Sequence, residues 1–188
     1  MPERRRLGLT YFLGRAVVGR QLSTLAARSI WARVERAVRA HDSSIPEFFC
    51  EQNKKRLREC GISNAKVQAL IAIRAAHEAG NLSVRRLRNM SHIERSAHLC
   101  EIWGVGQWTA DMTSIFYFGD PDVWPEGDGG VHRAFCLLTG RRSKVSHAKI
   151  AGAFAPYRLF LAQYMWRILD QPKQTMKQPA PKKTKVPV

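Results

Sequence analysis

The sequence predicts an all-α protein, and three observations predict it. Apolar residues recur at helical spacing over most of the chain. Serines stand just ahead of these runs and glycines just behind them, where helices start and stop. No stretch alternates apolar and polar residues as a half-buried strand would, no hairpin pair is visible, and no internal repeat recurs. The expected architecture is helices around one core, or two helical lobes with a cleft between them.

The elements follow in order. Leu22, Leu25, Ala26, Ile30, Val34 and Val38 form one face of a helix, with Ser23 as its N-cap. Ser44-Ile45-Pro46-Glu47 reads as a cap with proline in the first turn. Ser63 opens a helix carrying Val67, Leu70, Ile71 and Ala75, which Gly80 stops. Ser91-His92-Ile93-Glu94 is a capping-box pattern, in which Ser and Glu satisfy each other's free backbone donors. Further helices are expected from about Gln107 to Phe118, after Asp128 up to Gly140, and from near Pro156 to about Leu169.

Composition narrows the class. A length of 188 residues suits one domain, or two small lobes sharing a core. A hydrophobic content of 45% excludes a fully disordered chain. No apolar run approaches the roughly 20 residues of a membrane span, so no membrane partner is expected. The opening Met1-Pro2-Glu3-Arg4-Arg5-Arg6 has no long apolar stretch behind it, so no secretory signal is expected. Cys50, Cys60, Cys100 and Cys136 form no CxxC pair. They are expected as free thiols in a reducing compartment rather than as ligands of zinc or an iron–sulfur cluster.

Charge points to a partner. Lys+Arg 31 against Asp+Glu 15 gives a net charge of +16. Residues 1–40 hold +7 of it, residues 171–188 hold +5, and the 130 residues between hold only +4. A basic protein of this size is expected to meet a polyanion, because phosphate contacts release condensed counterions. The segment 171–188 has four prolines, five lysines and few large apolar residues. It is expected to be disordered, either as an arm for the polyanion or as a solubilising end.

Two stretches carry chemistry. Leu99-Cys100-Glu101-Ile102-Trp103-Gly104-Val105-Gly106-Gln107-Trp108-Thr109-Ala110-Asp111 ends one helix, turns on Gly-Val-Gly and opens another. This is either a plain helix–helix turn or a phosphate cradle, with amides around Gly104 and Gly106 presented at a helix N-terminus. The second stretch runs from Asp120 to Arg133, and Asp120, Asp122, Glu126 and Asp128 fall within nine residues of each other. Carboxylates repel a phosphate backbone, so these acids either face away from the ligand or include one with a task. Asp128 directly precedes a helix and is well placed as its N-cap.

Together these residues resemble a family. Gly104-Val105-Gly106-Gln107-Trp108-Thr109-Ala110, followed by Pro125-x-x-Asp128, resembles the helix-hairpin-helix–Gly/Pro–Asp superfamily of DNA glycosylases, and most of all its 3-methyladenine DNA glycosylase II (AlkA-like) branch. Gln21-Leu22-Ser23-x-x-Ala26-Ala27 resembles that family's opening helix start. Pro156-Tyr157-Arg158 leading to Trp166 resembles its C-terminal helix. In order, these cover roughly residues 10–169.

The resemblance implies a single glycosylase domain over residues 1–170 with two helical lobes, followed by the basic tail. It implies a monofunctional base-excision-repair enzyme that extrudes an alkylated purine such as 3-methyladenine from duplex DNA and hydrolyses its N-glycosidic bond. The alternatives are a non-catalytic damage-binding module and a glycosylase for deaminated bases such as uracil or hypoxanthine. Asp128 matches the catalytic aspartate, which stabilises the cationic sugar of the transition state. Trp108, Trp166, Met112 and Tyr157 match pocket positions, where aromatic faces attract a cationic base. Gly104, Val105, Gly106, Gln107 and Thr109 match the DNA-gripping hairpin. Arg20, Gln21 and Leu22 match the edge that supplies the wedge, and Arg158 is expected on helix ends or on DNA. In the bifunctional branch a lysine stands where this chain has Trp108, so no Schiff-base step is expected. Carbonyls of Cys100, Ile102 and Val105 match a structural monovalent cation, with no catalytic metal and no cofactor. Gly129, Gly130 and Met112 stand where bulkier or aromatic residues occur, which predicts a more open pocket. The partner expected is double-stranded DNA with a damaged base, bound by a monomer. The compartment expected is the cytoplasm (nucleoid) in a bacterium and the nucleus in a eukaryote.

Overall fold

The computed structural model describes residues 8–139 and 147–170, and every element among them is helical, with no strand. The expected end of a helix at Gly140 and the segment 171–188 lie outside the described residues. Helix α1 (Leu9–Gly19) is the central strut. It packs on α2 (Thr24–Ala40), α5 (Asn64–Glu78) and α8 (Gln107–Thr113), and Leu13 and Val17 have no exposed surface. Nothing in the sequence marks where α1 begins, because its N-cap is Gly8, which has no side chain to cap with.

The serine caps act as expected. Ser23 accepts from the Ala26 amide at 3.2 Å and starts α2. Ser44 and Glu47 close a capping box around α3 (Ile45–Phe48), and Ser91 and Glu94 close another around α7 (His92–Cys100). Ser63 caps α5, and Ser83, which was not singled out in the sequence, caps the short α6 (Val84–Arg88). Between α3 and α5 lie a 3₁₀ turn at Glu51–Asn53 and α4 (Lys54–Glu59). The inward face of α2 is Trp31, Val34 and Val38, while Leu25 at its start is 80% exposed. The apolar spacing of Leu22 and Leu25 therefore does not mark core.

Helix α8 runs on as a π-helical turn, Ser114–Phe118, and stops at Gly119, whose φ is 75°. Then come an irregular acidic loop and α9 (Gly129–Thr139), α10 (His147–Gly152) and α11 (Arg158–Asp170). Two buried apolar clusters share α1 and α5 as their wall. Two others join α9, α11 and the loop residues Val123 and Trp124 to the outer face of α8. The acidic loop is anchored twice near its start. Arg95, buried in α7, donates to the carbonyls of Leu87 and Met90 and to Ser114 Oγ, and pairs with Asp120 at 3.5 Å. Arg158 at the start of α11 grips both carboxylate oxygens of Asp122, at 2.7 and 3.0 Å. A guanidinium fork matches a carboxylate bidentately, so this pair fixes α11 to the loop. Arg158 thus serves the protein rather than a ligand.

Candidate active site

The hairpin between α7 and α8 is built on one glycine. Gly104 has φ of 82°, and a Cβ there would lie 2.4 Å from Ala69 Cβ on α5. Both the backbone angle and the close approach exclude other residues. The turn closes with the Val105 amide on the Ile102 carbonyl at 3.0 Å, which occupies one lone pair of a carbonyl that the resemblance assigns to a structural cation. The side chains of Ile102 and Val105 are buried, so the hairpin presents backbone at this point. Gly106 is the N-cap of α8 and caps nothing with a side chain, which leaves the first amides of α8 to solvent or a ligand.

The flanking residues divide. Gln107 is exposed, but its amide nitrogen donates to the buried Asp111 carboxylate at 2.7 Å. Thr109, expected on DNA, is fully buried, and its hydroxyl has no partner among the described residues. Three residues past Gly106, the helical turn has already rotated it onto α8's inner face, where no DNA can reach.

Asp128 is the focus. The indole N–H of Trp108 donates to one of its carboxylate oxygens at 2.8 Å, and that of Trp166 to the other at 2.9 Å. The Val131 amide donates to the latter oxygen at 2.8 Å, so Asp128 also caps α9. Gly130 makes the arrangement fit. A Cβ there would lie 2.9 Å from Asp128 Oδ1 and 3.3 Å from the Trp166 ring. The absent side chain at Gly130 is thus filled by Trp166 and the carboxylate, and does not open the pocket. Burial pushes the Asp128 carboxyl up, but hydrogen bonds from Trp108, Trp166 and the Val131 and Gly130 amides outweigh it. Its pKa is lowered, and the group is ionised at neutral pH. Among the described residues Asp128 makes no salt bridge, unlike Asp120 and Asp122.

A cavity of about 340 Å³ opens between α1–α2 and α8. Tyr11, Phe12, Ala16 and Leu22 line one wall, and Trp108, Met112 and Phe116 the other, with Arg15 and Arg28 also on the lining. Trp108 is shared: it lines the cavity and its N–H holds Asp128. Trp166 does not line this cavity. It stacks on Phe116, with centroids 5.6 Å apart and planes at 30°. Tyr157 is not in it either. The residue is 59% exposed, and its ring lies against Phe160. The bidentate pair at Arg158 fixes the chain direction here, and Tyr157 comes just before that anchor.

Gln21 and Leu22 form the turn at the cavity's edge and are exposed. Gln21 has φ of 60°, outside the usual range for a residue with a Cβ. Arg20 reaches across from this turn, and its guanidinium lies 3.4 Å from the Gly104 carbonyl. The aromatic pocket residues that the sequence did not single out are Tyr11, Phe12 and Phe116. Phe116 had a signal: Trp108, Met112 and Phe116 are four apart and share one helix face. Tyr11 and Phe12 had none, since they come from an unmarked helix and meet α8 only in the folded chain.

Set against known proteins, the chain matches no family model. It is 31% identical over 164 residues to the DNA-3-methyladenine glycosylase 1 of Schizosaccharomyces pombe, covering 81% of this chain and 69% of the relative. It is 30% identical to an alkylbase DNA glycosidase-like protein of the same yeast, covering 82% and 75%. Among solved structures it resembles the S. pombe 3-methyladenine DNA glycosylase in complex with abasic DNA. The TM-score is 0.83 at 26% identity, over 93% of this chain and 88% of that one.

Proposed function

The chain belongs to the 3-methyladenine DNA glycosylases of the helix-hairpin-helix superfamily, and from that membership we propose how its own residues cut an alkylated purine from duplex DNA. The single observation that carries the reading is the ionised Asp128, which among the described residues touches no cation and is fixed by two indoles, one of which lines the cavity. A base inside a duplex must leave the stack before it reaches such a site. The cavity's aromatic faces attract a base that already carries positive charge, which supports alkylated purines as the substrate class.

The chemistry follows. The bond between the sugar C1′ and the purine nitrogen breaks, and its electron pair leaves with the base. An alkylated purine needs little acid help, because it departs as a neutral molecule. The sugar is left with an oxocarbenium-like charge, and a fixed carboxylate opposite it lowers that barrier without reorganising. Water then bonds to C1′ and gives its proton to Asp128 or to solvent. An abasic sugar remains. Trp108 supports a hydrolytic rather than a lyase step, since an indole has no amine for a Schiff base and, among the described residues, no lysine lines the cavity.

Duplexes with one 3-methyladenine, 7-methylguanine, ethenoadenine, hypoxanthine or uracil, assayed for released base, test this. Release of the alkylated purines first is expected. Asp128→Asn should lower release by about 10²- to 10³-fold, the scale of removing one preorganised electrostatic group, while DNA binding persists. Tight binding with no release from any duplex would mean a damage-binding module instead.

A further inference from the structure

The turn between α1 and α2 is held from an unexpected direction. Gln21 sits in the left-handed region at φ 60°, which a residue with a Cβ rarely adopts. The carbonyls just before it are all engaged. Those of Val18 and Arg20 each accept from the Lys66 ammonium at 2.8 Å, and that of Gly19 accepts the Leu22 amide at 3.2 Å.

Lys66 breaks a local rule to do this. It lies in the first turn of α5, three residues after the N-cap Ser63. That end of a helix is electropositive and disfavours a cation. At the same place after Ser44 and Ser91 the chain has Glu47 and Glu94, which complete capping boxes. Burial, and Arg20 nearby, also push the Lys66 pKa down. What the ammonium gains is the electronegative carbonyl end of α1. A local preference sacrificed in this way marks a position under tertiary demand. Arg20, whose carbonyl Lys66 holds, reaches the Gly104 carbonyl of the hairpin with its own side chain.

We propose that Lys66 is a positioning residue for base extrusion: it locks the α1–α2 turn so that Gln21 and Leu22 stand ready, on the hairpin's edge, to fill the gap left in the stack. This rests on the reading of the chain as a glycosylase. An unbraced turn would relax Gln21 out of its left-handed conformation, and only the remaining competent fraction would extrude a base. Lys66 itself touches neither base nor sugar.

The test uses the full chain and two readouts. The first is the fluorescence of 2-aminopurine beside a 7-methylguanine in duplex DNA, which rises when its neighbour unstacks. The second is single-turnover release of 7-methylguanine when paired, and when left unpaired in a bulge. Lys66→Met keeps the stem and removes the ammonium. It should cut the fluorescence change at least fivefold and slow release from the paired site at least tenfold. Release from the bulge should stay within twofold of wild type. Lys66→Arg, which can donate to both carbonyls, should restore both readouts. An unchanged fluorescence signal, equal slowing at paired and bulged sites, or no rescue by arginine would each overturn the proposal. Lys66→Gln, with one donor group, is judged by the same paired-to-bulged ratio if the methionine variant does not fold. A wild-type protein that extrudes but never releases base would sink the glycosylase reading, while the fluorescence arm still judges Lys66.

Discussion

Asp128 differs from its loop neighbours in what holds it. Asp120 and Asp122 are paired with Arg95 and Arg158 and are structural. Asp128 is held by N–H groups that carry no net charge, so its own charge is left for a ligand. Trp166→Phe tests the arrangement: it keeps a ring to stack on Phe116 but removes one donor. A hydrogen bond to a charged group contributes about 1.5–3 kcal/mol, so base release should fall about 10- to 100-fold. The sign of the pH effect follows from the lowered pKa. Stability from ionised Asp128 is fully present above the unfolded carboxylate pKa of about 3.9 and is lost only as pH falls through the lower folded value. The acid limb of base release due to Asp128 therefore lies below the ordinary carboxylate range, and Trp166→Phe should move it upward. A limb that does not move in single-turnover pH profiles would contradict this. Thr109 gives the opposite kind of test. Its buried hydroxyl lacks a partner among the described residues, and Thr109→Val should raise stability by about 1 kcal/mol and leave DNA affinity unchanged. A loss of affinity in a binding titration would return Thr109 to the interface.

At the scale of elements, the hairpin depends on α5 as much as on its own glycines. Gly104→Ala forces a Cβ onto Ala69 and a side chain into φ 82°. The two effects together should cost about 2–4 kcal/mol, measured by urea unfolding. Adding Ala69→Gly should recover the steric part and leave the backbone part. Full additivity of the two costs would mean the contact does not matter. The elements best marked in the sequence were those with a serine start and two or more turns, α2, α5 and α7. α3, α4, α6 and α10 span 4 to 6 residues each, too short to show a periodic face. α1 is long enough, but Gly8 gives no cap signal and so nothing announces it. The π-helical turn Ser114–Phe118 also has no sequence signature, since it differs from α-helix only in how its carbonyls are shared.

Across the whole molecule, charge and site are separated. The excess positive charge sits mainly in the first 40 residues and in 171–188, while the acids gather in the loop that ends at Asp128. Deleting residues 171–188 should weaken DNA binding evenly across sequences and reduce its salt dependence, by up to about 0.9 in the log–log slope per lysine engaged. An unchanged slope would mean that the five lysines there do not meet phosphate. By itself the sequence determined the helical class, the serine-capped starts read from it, the Gly-Val-Gly turn and a cap at Asp128, because each depends on residues adjacent in the chain. A ligand for the turn, a catalytic role for Asp128 and pocket roles for Trp108 and Trp166 it implied only through a resemblance carried by short motifs. Only the tertiary structure decided what these residues do to each other. It turned both indoles onto one carboxylate, buried Thr109, left Tyr157 outside and set Tyr11 and Phe12 opposite Trp108. The physical reason is that these outcomes join helices far apart in the chain, and helical spacing fixes which face a residue occupies but not which face it will meet.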